Sequence, residues 1–246
     1  ERARRCETIL SVGGIMNGTC NYILDSMTTK GLDYADVLKQ ALSGKRFKAA
    51  LACRVKTAET ETLLDLSAEM PADAVEAAPV TVDEADGLQL LRHSTSHVMA
   101  AAVQKLFPGV KVTIGPAIDK GFYYDFDAPR PFTPEDLEAI EKEMRAIVAA
   151  NVPFERSVMS KADAIALFEG KGETYKVEII EELDADTVSL YRCGDFLDLC
   201  RGPHIPSTGS VKAFKLLSVA GAYWRGSEKN KMLQRIYATA FEKKAD

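Results

Sequence analysis

No stretch of this chain approaches the roughly 18 consecutive apolar residues that a membrane-spanning helix requires, so no membrane partner is expected. There is no G-x-G-x-x-G dinucleotide loop, no internal repeat and no low-complexity segment. Cysteine is sparse. Cys6, Cys20, Cys53, Cys193 and Cys200 are odd in number and widely spaced, which excludes a disulfide framework and points to a reducing, cytoplasmic setting. Net positive charge is also missing: the balance is -5, so the chain as a whole is no generic nucleic-acid binder. Histidine is nearly as scarce as tryptophan, with three copies against one.

What is present fits a soluble globular protein of one large or two modest domains: 246 residues, 46% hydrophobic and 27% charged. The first residues, Glu1 to Arg5 and then Ile9 to Val12, mimic a signal peptide only faintly, because Asn17-Gly18-Thr19 follows where a cleavage site would stand. A start at Glu1 instead of Met is expected of a fragment. Charge is unevenly spread. Residues 57–92 hold nine acids against the single base Arg92, whereas residues 201–246 hold nine bases against three acids. That basic stretch begins beside Cys200 and could meet a phosphate backbone or simply form a solvated face.

Periodicity gives a coarse map. A helix is expected over Tyr34–Leu42, a short element over Ala49–Val55, and a linker at Asp83–Gly87, where the main domain boundary falls. A helix follows from Leu88 to Phe107, stopped by Pro108-Gly109. Strands are expected at 111–118 and 122–126, joined by a turn at Asp119-Lys120-Gly121. Thr133-Pro134 opens a capped helix ending near Asn151, and Ser160 with Asp163 opens another through Phe168. Further strands are expected at 175–180, 187–192, 213–219, 222–225 and 233–238. Helices interspersed with hairpins point to an α+β fold with an antiparallel sheet and packed helices, preceded by a small irregular N-terminal region.

The three histidines all fall in two short motifs, His93-Ser94-Thr95-Ser96-His97 and Cys200-Arg201-Gly202-Pro203-His204. On a helix, H-x-x-x-H projects two imidazoles from one face. With C-x-x-x-H on a rigid loop, the four side chains could hold zinc, or could act without metal as hydrogen-bonding and proton-transfer groups. Asp195 and Asp198 share the loop before Cys200, and Tyr123, Tyr124 and Asp125 lie on the second hairpin strand. Lys176 reads by itself as an exposed lysine of a strand.

Leu91 to Val98, Ile114-Gly115-Pro116-Ala117-Ile118, Gly121-Phe122-Tyr123-Tyr124-Asp125 and Phe132 to Leu137 resemble the editing domain of bacterial threonyl-tRNA synthetase. The resemblance continues through Asp198 to His204, Ala220 to Gly226 and Met232 to Tyr237, and so covers about residues 87–241. Residues 49–86 are weakly similar to the tail of the ubiquitin-like domain that precedes it. The resemblance implies a threonyl/alanyl-tRNA synthetase-type editing domain that hydrolyses serine wrongly attached to threonine tRNA. Carried over by motif, the site residues are His93, His97, Tyr124, Lys176, Asp198, Cys200 and His204. The implied partner is the acceptor end of tRNA(Thr) carrying serine. A related alanine-specific editing family binds zinc with the same ligand pattern. In the threonyl family, water chemistry without a cofactor is expected, and zinc at His93, His97, Cys200 and His204 is the one metal the pattern admits. No ATP site and no ligase activity are expected, because the aminoacylation domain would follow residue 241. The alternatives are a non-catalytic tRNA-binding or structural zinc module, and a homoserine dehydrogenase remnant. The last rests on Gly14 to Leu24 and Tyr34 to Leu38, similar to that family over about residues 9–42. The expected organisation is therefore 1–48, a homoserine dehydrogenase-like segment; 49–86, a ubiquitin-like remnant and acidic linker; and 87–246, an editing domain.

Overall fold

The computed structural model describes residues 49–242. The helix expected over Tyr34–Leu42 and the homoserine dehydrogenase-like segment lie outside the described residues. The fold is α+β, and every strand pairing among the described residues is antiparallel.

Residues 49–80 form more than the single element expected there. Strands β1 (Ala52–Lys56), β2 (Glu61–Leu64) and β3 (Glu76–Val80) make a small sheet in the order β2-β1-β3. Alternation along β1 buries Cys53 and Val55 beside Ala77 of β3.

The long helix α1 (Ala85–Leu106) runs through the middle of the molecule and is buried on nearly every side. It starts inside the expected linker. Small and self-satisfying residues allow this burial: Thr95 Oγ1 donates to the Leu91 carbonyl at 2.7 Å, and Ser96 Oγ donates to the His93 carbonyl at 2.7 Å. Buried hydroxyls thus keep partners, and Ala100, Ala101 and Ala102 let neighbours approach closely.

Strands β4 (Lys111–Val112), β5 (Ala117–Ile118), β6 (Gly121–Asp127), β10 (Ala213–Tyr223) and β11 (Met232–Phe241) form the main sheet, ordered β10-β11-β6-β4 with β5 also on β6. The expected strand 111–118 is broken at Thr113–Pro116. Pro116 has no N–H to give a ladder, and a Cβ at Gly115 would lie 2.1 Å from the Tyr124 ring. The strands expected at 213–219 and 222–225 are one strand, β10, with an irregularity between Leu216 and Ser218. Along β6, Phe122, Tyr124 and Phe126 point into the core.

Helix α2 (Pro134–Ala149) packs on α1. Its start is a reciprocal cap: the Asp136 N–H donates to Thr133 Oγ1 at 3.3 Å, and the Thr133 N–H donates to Asp136 Oδ2 at 2.8 Å. Strand β7 (Phe154–Ser160), helix α3 (Lys161–Gly170), helix α4 (Thr174–Glu182), β8 (Thr187–Cys193) and β9 (Phe196–Leu199) complete the fold, with the sheet β7-β8-β9.

Two elements of this last part correct the sequence reading. Residues 175–180 are helical, not extended. Tyr-Lys-Val-Glu-Ile-Ile alternates acceptably for a strand, but Gly172 turns the chain at φ +72 and the Glu-rich end (Glu178, Glu181, Glu182) favours helix. Asp198 lies on β9, not in a loop, because Gly194 at φ +62 closes the β8–β9 hairpin and sets Asp198 opposite Tyr191.

Candidate active site

The site forms where α1, β6, α4 and β9 meet the loop 200–206. His93 and His97 project from one face of α1, with ring centroids 5.0 Å apart. Loop residue His204 stacks on His93 at 4.6 Å and meets His97 edge-on at 4.3 Å. Phe154 closes the other face of His204, nearly parallel at 4.7 Å. Cys200 Sγ lies 3.1 Å from His93 Nε2. His93 and Cys200 are half-buried, whereas His97, Tyr124, Lys176, Asp198 and His204 are buried. The first two therefore stand at the mouth and the others behind them.

The inner wall is a chain of polar groups. Lys176 Nζ donates to the Thr113 carbonyl at 2.6 Å and to Tyr124 Oη at 3.2 Å, and forms an ion pair with Asp198. Tyr124 in turn donates to Asp198 Oδ2 at 2.6 Å. His97 Nδ1 lies 3.6 Å from the same oxygen. Lys176 is thus a buried member of a helix, contrary to the exposed strand lysine read from the sequence; burying an ammonium requires the partners it has here.

Burial sets the protonation states. It lowers the His93, His97 and His204 imidazoles below the ordinary histidine value, so they are neutral near pH 7. Burial raises the Cys200 thiol to about 12, with the Gly202 N–H acting in the opposite sense. Burial, aided by Asp198, also raises Tyr124 well above the usual phenol value. The site therefore offers neutral imidazoles, a thiol and a phenol.

The four donors of His93, His97, Cys200 and His204 lie within 4.8 Å of one another. Zinc, with bonds of about 2.0–2.3 Å, wants such atoms about 3.3–3.8 Å apart. The set fits zinc in kind, with its widest pair needing to close. Bound there, zinc would supply Lewis acidity and a water of lowered pKa.

Asp195, Tyr123 and Asp125 stand apart from this constellation. Asp195 is exposed next to the β8–β9 turn. Asp125 takes a two-pronged bond from Arg235, at 2.7 and 2.8 Å, and Arg235 lies over the Tyr123 ring at 3.7 Å. Their strand positions alternate with Tyr124, so they face away from it.

Residues 188–237, from β8 to β11, match the family described as Threonyl and Alanyl tRNA synthetase second additional domain. The chain is 65% identical over 211 residues to the threonine--tRNA ligase of Nitratidesulfovibrio vulgaris (strain DSM 19637 / Miyazaki F), covering 86% of this chain and 32% of the relative. It is 63% identical over 211 residues to that of Oleidesulfovibrio alaskensis, with the same coverage, and 58% over 183 residues to that of Lawsonia intracellularis, covering 74% of this chain and 28% of the relative. The likeness is to a threonyl-tRNA synthetase editing region. The chain spans about a third of the length of the curated relatives it matches. Residues 1–45 match the homoserine dehydrogenase family, a short match outside the described residues.

Sequence reasoning missed several residues that build this site. Asp65, following β2, accepts from Tyr191 Oη at 2.6 Å and from the His204 N–H at 2.8 Å, tying the first sheet to the histidine loop. Buried Glu173 accepts the Val112 N–H at 3.2 Å and a bond from Gln104, which anchors the start of α4. Asp65 lies in the acid-rich stretch, where nothing local separates it from solvated neighbours. Only Ser94, inside H-x-x-x-H, lay in a motif the sequence already marked.

Four bases of the basic C-terminal stretch are held in ion pairs. Lys215 pairs with Glu141, Arg225 with Glu178 and Glu182, Lys231 with Asp127, and Arg235 with Asp125. Arg201, exposed beside Cys200, is in no ion pair among the described residues.

Proposed function

We propose that this chain is an aminoacyl-tRNA deacylase that removes serine from mischarged threonine tRNA. The observation that carries the reading is a neutral, half-buried imidazole, His93, in contact with the Cys200 thiol and backed by the buried group of Lys176, Tyr124 and Asp198. Likeness to threonine--tRNA ligases supports the choice of ester. Serine lacks only threonine's methyl, and a missing methyl gives about 1–3 kcal/mol of discrimination, so a second, smaller pocket is needed to remove errors.

The reaction is attack of water on the carbonyl that joins serine to the terminal ribose. The new bond is from water oxygen to carbonyl carbon; the bond that breaks is from that carbon to the ribose oxygen. His93, neutral at pH 7, takes the proton from water and returns one to the ribose oxygen. Lys176 and Tyr124 both pair with Asp198 and tie the wall together, while His97, His204 and Cys200 shape a space for serine. Arg201 is the cation placed to meet the tRNA backbone at the mouth.

The test is incubation of the protein with seryl- and threonyl-tRNA(Thr). Faster release of serine than threonine, abolished in His93→Ala, is expected. No release with tRNA binding retained would make the chain a non-catalytic tRNA-binding module instead. The reading needs no metal, and stoichiometric zinc in active purified protein would overturn that part of it.

A further inference from the structure

We propose that Ser94 is a positioning residue that fixes the proton of His204 on Nε2, so that His204 faces the pocket as a hydrogen-bond donor. The proposal rests on the deacylase reading only for what His204 would contact.

Ser94 is fully buried on α1. Its hydroxyl oxygen has two hydrogen-bonding neighbours among the described residues: the Ile205 N–H at 3.1 Å and His204 Nδ1 at 3.0 Å. The Ile205 N–H can only donate. A hydroxyl has one hydrogen to give. If His204 carried its proton on Nδ1, the Ser94 oxygen would receive two N–H groups and its own hydrogen would have no acceptor. A buried hydroxyl hydrogen left unmade is the costlier arrangement. With the proton on Nε2, Ser94 donates to Nδ1 and accepts from Ile205, and all three groups are satisfied.

His204 Nε2 is then a buried N–H, and it has no hydrogen-bond partner among the described residues. The ring cannot easily turn to find one, because Phe154 and His93 pack on it. Beside it, His93 Nε2 lies 3.1 Å from Cys200 Sγ, a contact in which either atom can be the donor. Of the two stacked imidazoles, His204 is the one whose proton the Ser94 contacts place, and it is a donor. A donor in that position suits an oxygen of the ligand, the ester carbonyl that gains negative charge as water attacks, or the serine hydroxyl. A metal ion at His204 Nε2 would require the proton to move to Nδ1 and would strand the Ser94 hydroxyl hydrogen. On this account Ser94 sets the site toward metal-free chemistry.

The test is long-range 15N–1H correlation of the imidazoles in the full chain labelled with 15N-histidine, at neutral pH. Only three histidines need assignment, and the signals lost in His93→Ala and in His97→Ala leave that of His204 by elimination. His204 is expected with a protonated Nε2 and an unprotonated Nδ1. Ser94→Ala should shift it toward a tautomer mixture, lower kcat for seryl-tRNA at least tenfold and leave KM within about threefold. Ser94→Thr should restore both the tautomer and most of kcat. A protonated Nδ1 in the unaltered protein overturns the proposal, whatever the variants do, and so does a tautomer indifferent to Ser94→Ala. The two readings fail separately. The expected tautomer without serine release leaves Ser94 assigned and sinks the deacylase; release with a protonated Nδ1 does the reverse.

Discussion

The Tyr124 hydroxyl donates to the Asp198 carboxylate across 2.6 Å, joining the main sheet at β6 to the smaller sheet at β9. The same carboxylate is paired with Lys176 of α4. Three elements are therefore locked through one buried acid, and the pocket wall is as rigid as the sheets that carry it. On the proposed deacylase reading, a rigid wall is what discrimination by a single methyl needs, since a wall that yields by an ångström would admit threonine.

Removing one partner of the buried pair should be costly. Lys176→Met leaves Asp198 charged and buried, and is expected to destabilise the fold by about 3–5 kcal/mol. Lys176→Met with Asp198→Leu removes both charges and should recover part of that loss. Urea unfolding of the two variants checks the order; a double variant less stable than the single one contradicts it.

Stability should fall on mild acidification. Burial holds His93, His97 and His204 below the ordinary imidazole value. Below about pH 6.5 the unfolded chain binds protons that the folded chain does not. The histidine contribution is therefore fully present above that pH and is lost as pH falls toward the folded values. The slope is up to about 1.4 kcal/mol per pH unit for each histidine. Urea midpoints at pH 7.5, 6.5 and 5.5 measure it, and an unchanged midpoint would be incompatible with buried neutral imidazoles.

Asp65→Ala should weaken the site from a distance. It frees the Tyr191 hydroxyl and the His204 N–H together, at a cost of about 1–3 kcal/mol. Serine release should drop more than thermal stability alone accounts for, because the loop carrying His204 loses its tether. Deacylation rates compared well below the melting temperature separate the two effects.

Gly115→Ala should damage the pocket without touching a polar group. A Cβ there would lie 2.1 Å from the Tyr124 ring, so the ring or the backbone at residue 115 must shift, and the expected result is a weakened Tyr124–Asp198 bond. Overpacking of this kind costs about 1–3 kcal/mol. Serine release near the unaltered rate in a folded Gly115→Ala protein would show that the Tyr124–Asp198 bond is dispensable.

Arg201→Ala should weaken tRNA binding about equally for seryl- and threonyl-tRNA and shallow the salt dependence by about one ion. Binding titrations at several salt concentrations measure the slope; an unchanged slope would remove Arg201 from the backbone contact.

Much of the fold could be read from the chain alone where the signal is local. The H-x-x-x-H pair faces one way because residues four apart share a helix face, and α1 carries it so. Thr133-Pro134 with Asp136 carries its own cap. Gly121 to Asp127 alternates and becomes β6. Tyr175 to Ile180 misled because its alternation suits a strand and a short helix alike; the turn at Gly172 and the Glu-rich end favour the helix, and the bonds of Glu173 to Val112 and Gln104 anchor its start.

By itself the sequence determined the elements with a strong period and the two histidine motifs, because neighbours within a few residues enforce both. Only the tertiary structure decided that Lys176 is buried, that Asp65 holds the His204 loop, and that four bases of the basic stretch are held in ion pairs. Those facts depend on partners distant in the chain: Lys176 on Tyr124, Asp65 on His204, Arg235 on Asp125. A charge's environment is set by what folds against it, and no local pattern encodes that.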